Sequence, residues 1–205
     1  LWAKLKEQGS CPVARGNIIL INGIHKGQMY VNTTRLLHVD ATDIQDLTRG
    51  EMEGHLQLEK LIETFRTYVP GFENCYISSI PSNIGVRETR RMKGLKCVNV
   101  EDALDGVVPE DSICLSGYSI DIHHNTQNGT LFRKLEKPFG IPYGCLVSAE
   151  ISNLLFAGRC ISVDDHVVGS TRVMTSCMAM GQAAGIAASM ALDNGQTVAD
   201  VDVQK

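Results

Sequence analysis

The sequence holds seven cysteines but no CxxC pair, and that absence excludes the zinc ribbons and dithiol redox motifs built on such a pair. Cys11, Cys75, Cys97, Cys114, Cys145, Cys160 and Cys177 are odd in number and widely spaced. They read as reduced, mostly buried thiols of a cytoplasmic protein. Positive charge is also short: 19 Lys and Arg stand against 23 Asp and Glu, a formal net charge of -4. A broad nucleic-acid surface needs a basic face, so no nucleic-acid partner is expected. Local basic clusters still serve a small anion. No secretory signal pattern opens the sequence. Residues that drive membrane insertion are scarce where they would matter. Val173 to Leu192 has no charge over 20 residues, yet it holds one Ile, one Leu and one Val, with Gln182 in its middle. Ala, Gly, Met, Ser and Thr make up most of the rest, so this is a buried helix against backbone or ligand, not a membrane span.

What is present is ordinary globular material. The chain has 205 residues, 43% hydrophobic and 20% charged, enough for one domain or parts of two. Leu1 to Leu5 reads like the end of an amphipathic helix stopped at Gly9, and the expectation is a piece of a longer protein. Asn17–Asn22 and Gln28–Asn32 flank the turn residues Gly23–Gly27 and predict a hairpin. Thr48 and Glu51 have capping-box form. They predict a helix over about 49–69 with Leu58, Leu61, Ile62, Phe65 and Val69 on one face, ended by Pro70-Gly71. Cys75–Ile80 and Gly85–Arg91 look like short strands, and Asn99 caps a short helix through Leu104. Ile113–Ile122 and Gly129–Leu135 are strand-like, while Pro138 and Pro142 suit an edge or irregular segment. Asn153–Ala157 is a short apolar run that suits a buried strand. A loop follows to Ser170, then a long helix stopped at Asn194-Gly195.

The chemistry concentrates in that last stretch. A strand ending at Gly158 lets another group approach closely, and the C-terminal ends of strands are where open α/β sheets bind ligands. Arg159, Ser162, Asp164, Asp165 and His166 supply polar groups in the loop. Gly169-Ser170-Thr171 is expected to open a helix whose N–H groups meet an anion or a polarised carbonyl. Gly181, Ala183, Ala184, Gly185, Ala187 and Ala188 keep the helix thin, which serves close packing on a sheet as well as it serves a cofactor.

The run AGRCIS…GSTRVMTSCMAMGQAAGIAA resembles the C-terminal flavin-binding signature of a family of bacterial FAD-dependent oxidoreductases with a glutathione-reductase-type nucleotide domain. GVRETRRMKG at Gly85–Gly94, IPYG at Ile141–Gly144, YVNTTR at Tyr30–Arg35 and VPGFEN at Val69–Asn74 match the same family in order and spacing. The resemblance implies FAD as cofactor and hydride transfer between a small organic substrate and flavin. It implies an α/β fold, mixed with α+β character: a β-rich substrate-binding region over 1–145, then the C-terminal strand–loop–helix of a Rossmann-like FAD-binding domain over 146–205. The implied cofactor-binding residues are Gly158 and Arg159 at the ribityl and pyrophosphate portion, and Asp164 on a ribityl hydroxyl. Gly169, Ser170 and Arg172 fall at the pyrimidine edge. Gln182 and Gly185 serve helix packing.

Catalytic candidates are Arg172, Arg87 and His124. An arginine clamps an anionic substrate in bidentate fashion. In a strand Arg87 and Arg91 share one face and Arg90 the other, so they cannot all meet one ligand. The pair His123-His124 points opposite ways for the same reason, which argues against a shared metal and leaves a single proton donor. No metal site is expected.

One departure bears on the cofactor. Full-length family members begin with a strand and a G-x-G-x-x-G turn that holds the FAD pyrophosphate. This sequence has none, and Gly181 to Gly185 lies within a helix. The expectation is therefore weak or absent FAD binding by this chain alone, with an apolar face that a homo-oligomer covers. Two other readings stay open: a non-catalytic binding module that kept the fold and lost the cofactor, and a thiol enzyme using Cys160 or Cys177.

Overall fold

The computed structural model describes residues 2–7, 11, 13, 17–123 and 130–204. Helices and small antiparallel sheets alternate along it, so the mixed α and β character stands. The chain divides into two compact units: one runs to Val86, and the other takes the described residues from Arg87 onward. The expected boundary at 145/146 falls inside the second unit, between two fully buried residues, Cys145 and Leu146.

The first unit is organised by helix α2, Ile44–Tyr68, after a short helix α1, Trp2–Glu7. Helix α2 starts a turn earlier than the capping-box reading placed it. Asp43 is the N-cap, its Oδ1 accepting the N–H of Gln45 at 2.7 Å and of Asp46 at 3.3 Å. Thr48 instead bonds back to the Ile44 carbonyl, and Glu51 accepts the Ile84 N–H at 2.8 Å. An aspartate two residues before the first usable N–H competes better for the cap than a threonine already inside the turn. The buried face of α2 carries Leu61 and Phe65, which pack with Trp2, Leu5 and Val13. Phe72 meets Phe65 edge-on at 5.4 Å. Gln57 is buried too, and its amide clamps the Arg35 backbone, accepting its N–H at 3.0 Å and donating to its carbonyl at 2.8 Å. The predicted hairpin forms as β1, Leu20–Asn22, against β2, Met29–Val31. Cys75–Ile80 and Gly85–Arg91 enter no sheet. Their residues are mostly exposed, and without a neighbouring strand an extended run gains no ladder hydrogen bonds.

In the second unit, helix α3, Val100–Asp105, has the predicted cap: Asn99 Oδ1 accepts the Asp102 N–H at 2.8 Å. Gly106 ends it at φ 70°. Strand β3, Ser112–Ser116, pairs with β6, Phe139–Pro142, and β4, Ile120–His123, pairs with β5, Thr130–Arg133. Four irregular segments weave the centre. Met92 donates to the Cys160 carbonyl at 2.8 Å, Leu95 to Val147 at 3.0 Å, Ser162 to Cys145 at 3.1 Å and Phe156 to Leu146 at 2.9 Å. They surround a fully buried core of Ile120, Phe139, Ile141, Cys145, Leu146, Ile161, Val167 and Met180. The apolar run Asn153–Ala157 is not a full strand. It makes one antiparallel bridge, Leu155 to Val147, after Asn153 turns at φ 55°.

The long C-terminal helix also differs from expectation. A one-turn helix α4, Val168–Thr171, is followed by a break at Arg172-Val173, and α5, Met174–Asn194, then runs to Gly195 at φ 62°. Helix α5 packs on β3 and, through Ala187 and Ala191, against Tyr143, Val198 and Val201. The Tyr143 hydroxyl donates to the Val198 carbonyl at 2.7 Å. Among the described residues no helix is long and apolar enough to cross a membrane.

Candidate functional site

Three stretches of the second unit converge on the start of α5. Gly158 turns at φ 93°, and a Cβ there would lie 3.9 Å from Cys177 Sγ on the first turn of α5. That positive φ strains any L side chain, so glycine is required. Arg159 follows, exposed, and its charge acts on the same Cys177 sulfur. Cys177 in turn reaches the Thr171 carbonyl at 3.8 Å. The turn at 158–159 and the α4–α5 junction thus lie together.

Asp164 opens the second stretch. Its carboxylate accepts the His166 N–H at 3.0 Å and meets His166 Nδ1 at 3.3 Å. These hydrogen bonds, the backbone N–H foremost, hold the Asp164 carboxyl below the usual carboxylate range, with Arg91 adding to the effect. Its carbonyl receives the Val167 and Val168 N–H groups, which launches α4. Arg91 binds both Glu88, at 3.3 Å, and Asp165. The 87–91 segment is therefore tied to the 164–166 loop through Arg91. Sequence reasoning named Arg87, which is exposed four residues earlier; the signal for Arg91 lay in the same GVRETRRMKG run.

Gly169 and Ser170 are buried inside α4. Their N–H groups bond to His166 and Val167 carbonyls, not outward. The Ser170 hydroxyl donates to the Tyr118 carbonyl and meets Ser116 Oγ at 3.0 Å. The outward donors come one step later. Helix α5 has Val173 at its N-cap with no side-chain cap, so its first-turn N–H groups have no intrahelical acceptor. Arg172, half-buried, sits at that junction. His124 lies outside the described residues. Among those described, no group of three or more His, Cys, Asp or Glu is placed to hold a metal.

All seven cysteines are free; Cys145 is buried, Cys97 exposed and the others intermediate. "Mostly buried" thus holds for one thiol, because five others pack at the edges of the cores and Cys97 is exposed. Burial pushes the Cys177 thiol up against the pull of Arg159, which disfavours the thiolate that a thiol enzyme needs.

Comparison with known proteins decides the family. A family model described as FAD dependent oxidoreductase matches residues 4–205. This chain belongs to the FAD-dependent oxidoreductase family. Searches of curated proteins and of solved structures gave no match. Within this FAD-dependent oxidoreductase the donor set at the α5 start fits a flavin cofactor. It offers a helix N-terminus without a side-chain cap, the adjacent Arg172, and a glycine turn that leaves backbone accessible.

Proposed function

We propose that this chain supplies the flavin-facing end of an FAD site in an enzyme that moves a hydride between a small organic substrate and flavin. The observation that carries the reading is the family match over residues 4–205, coinciding with the α5 N-terminus that no side chain caps. On this reading residues 146–205 close a Rossmann-like FAD domain, and 1–145 belong to the substrate-binding region. FAD, when bound, supplies the two-electron acceptor.

The chain's own groups position and polarise. Gly158 leaves its backbone open to the ribityl and pyrophosphate portion, and Arg159 offers charge to a phosphate. Asp164 stays ionised because the His166 N–H and Arg91 favour its carboxylate, so it accepts a hydrogen bond from a ribityl hydroxyl. Gly169 and Ser170 form the buried turn that carries Arg172 and fixes where α5 begins. The α5 N-terminus and Arg172 favour negative charge at the pyrimidine edge, where it builds on reduction. Arg172 and Arg87 are the candidate anion clamps for substrate, and His124 the candidate proton donor.

The phosphate-binding glycine turn is absent from these residues, so the chain alone binds FAD weakly or not at all and is inactive alone. Fluorescence titration with FAD tests this, and binding at micromolar or tighter concentration overturns it. For hydride transfer, protein that also carries the phosphate-binding glycine turn is loaded with flavin and mixed anaerobically with a substrate panel. Bleaching by a hydroxyl- or amine-bearing substrate supports the reading; a flavin that no substrate reduces, yet that borohydride does, argues against it.

The same geometry leaves one face of α5 open. Met174 is 82% exposed, Met178 72% and Leu192 83%, an apolar strip suited to contact with a second copy.

A further inference from the structure

We propose that Cys97 and Cys145 form a dithiol site that a small disulfide converts into an intrachain disulfide. The site lies apart from the α5 start and does not depend on the flavin reading. Two chain segments touch one residue before each cysteine. Lys96 donates its N–H to the Gly144 carbonyl at 3.1 Å, and a Cβ at Gly144 would sit 2.7 Å from Lys96 Cγ. Both sulfurs then border Val98. Cys97 Sγ reaches the Val98 carbonyl at 3.9 Å, and the Cys145 sulfur takes a hydrogen bond from the Val98 backbone. A disulfide needs Cα atoms about 5.5 Å apart, the spacing of residues opposed across antiparallel segments, and the antiparallel bridge Gly94–Ser148 followed by the Leu95–Val147 hydrogen bond sets the register on which Cys97 faces Cys145.

The two thiols differ in access. Cys97 is exposed and lines a cavity of about 230 Å³ together with Lys96, Val98, Asp102, Pro109 and Pro142. Cys145 is fully buried. Burial first, then the neighbouring Cys97, pushes its thiol up to about 12. An incoming disulfide RSSR therefore reacts at Cys97. The Cys97 thiolate attacks one sulfur, the RS–SR bond breaks, and one thiolate leaves and takes a proton from water. Cys145 then gives its proton to water as its sulfur attacks the Cys97 sulfur, and the second thiolate leaves. Two protein thiols lose two electrons, and RSSR gains them as two RSH. The buried partner makes the second step the slower one.

The test uses the full chain with glutathione disulfide, followed by intact mass and peptide mapping. The expected course is a mixed disulfide on Cys97, then a product two hydrogens lighter than the reduced chain, with the Cys97 and Cys145 peptides linked. Cys145→Ser stops at the mixed disulfide, and Cys97→Ser gives neither species. Wild-type protein that stops at the mixed disulfide, or that links any other pair of cysteines, overturns the proposal. So does a Cys145→Ser chain that still loses two hydrogens. Far-UV circular dichroism checks that the buried substitution folds, with Cys145→Ala as the alternative. The wild-type peptide map decides even where neither does.

Discussion

Helices α2 and α5 are nearly equal in length, 25 and 21 residues, and opposite in construction. Helix α2 carries its own local supports. Asp43 caps it, and Arg49 pairs with Asp46 in its first turns and with Glu53 at 3.6 Å. Arg66 reaches the Cys75 carbonyl at 2.9 Å from its last turn. Helix α5 has none of these at its start: no side-chain cap, no acidic residue in its first turn and no charge before Asp193. It is held by packing of Met180, Ala187 and Ala191. Local devices of the α2 kind each contribute roughly 0.3–1 kcal/mol. Their omission from α5 leaves its N-terminus free to meet another group. One helix is held by local devices, and the other, on the proposed reading, presents its end to the flavin.

The largest effects test whether both helices depend on their buried rows. Phe65→Ala in α2 is expected to cost about 3–5 kcal/mol and Met180→Ala in α5 about 2–5 kcal/mol, read by urea unfolding. If Met180→Ala costs under about 1 kcal/mol, α5 is not anchored where the core places it. Cap exchange breaks the comparison more sharply. Asp43→Ala is expected to lose about 1 kcal/mol. Val173→Asp gives α5 the cap it lacks and should gain on the order of 0.5–1 kcal/mol. In protein that also carries the phosphate-binding glycine turn, the same change should weaken FAD binding, because a carboxylate then occupies the helix end. A Val173→Asp protein that binds FAD as tightly as wild type removes the α5 start from the site. Gly181→Ala is the milder probe: with nothing within 4 Å of the new Cβ, it should stabilise the chain by roughly 0.5–1 kcal/mol. Gly181→Leu should lower self-association in sedimentation if the open face joins two copies.

The same contrast explains what the sequence made legible. Local signals worked where the deciding atoms are neighbours in the chain. The Leu20–Val31 hairpin turn, the Asn99 cap and the Gly195 stop were all readable. The start of α2 was missed because Thr48 and Glu51 satisfied a local pattern while Asp43 satisfied the actual N–H groups. Segments whose state depends on distant partners were harder. Asn153–Ala157 has the apolarity of a strand, yet its partner at Val147 accommodates one bridge. Cys75–Ile80 has strand composition and no sheet to join. The α4–α5 break at Arg172-Val173 was invisible too, since no glycine or proline marks it; Ser170 is pinned there by Tyr118 and Ser116, more than fifty residues back. In the candidate site, Gly158, Asp164 and Arg172 could be picked out by residue type and motif. The Arg91 link to Asp165 needed the fold, because 74 residues separate the two.

The smallest predicted effect concerns Asp164, the acid that α5 does not have and the loop before α4 does. Its folded carboxyl titrates below the ordinary 3.8, chiefly because the His166 N–H bonds the ionised form. A depressed carboxyl stabilises the fold above its unfolded value and ceases to do so as pH falls through its folded value. The stability difference between wild type and Asp164→Asn should therefore be constant near neutrality and shrink only below about pH 3.8. Solvent screening keeps it small, since this side chain is partly exposed. Paired denaturation midpoints from pH 7 to pH 2.5, the lower end about one unit below the ordinary carboxyl value, read the trend. A gap that widens on acidification would mean that Asp164 is held protonated in the fold. A protonated Asp164 can donate to a ribityl hydroxyl instead of accepting from it, and the proposed polarity of that contact would reverse.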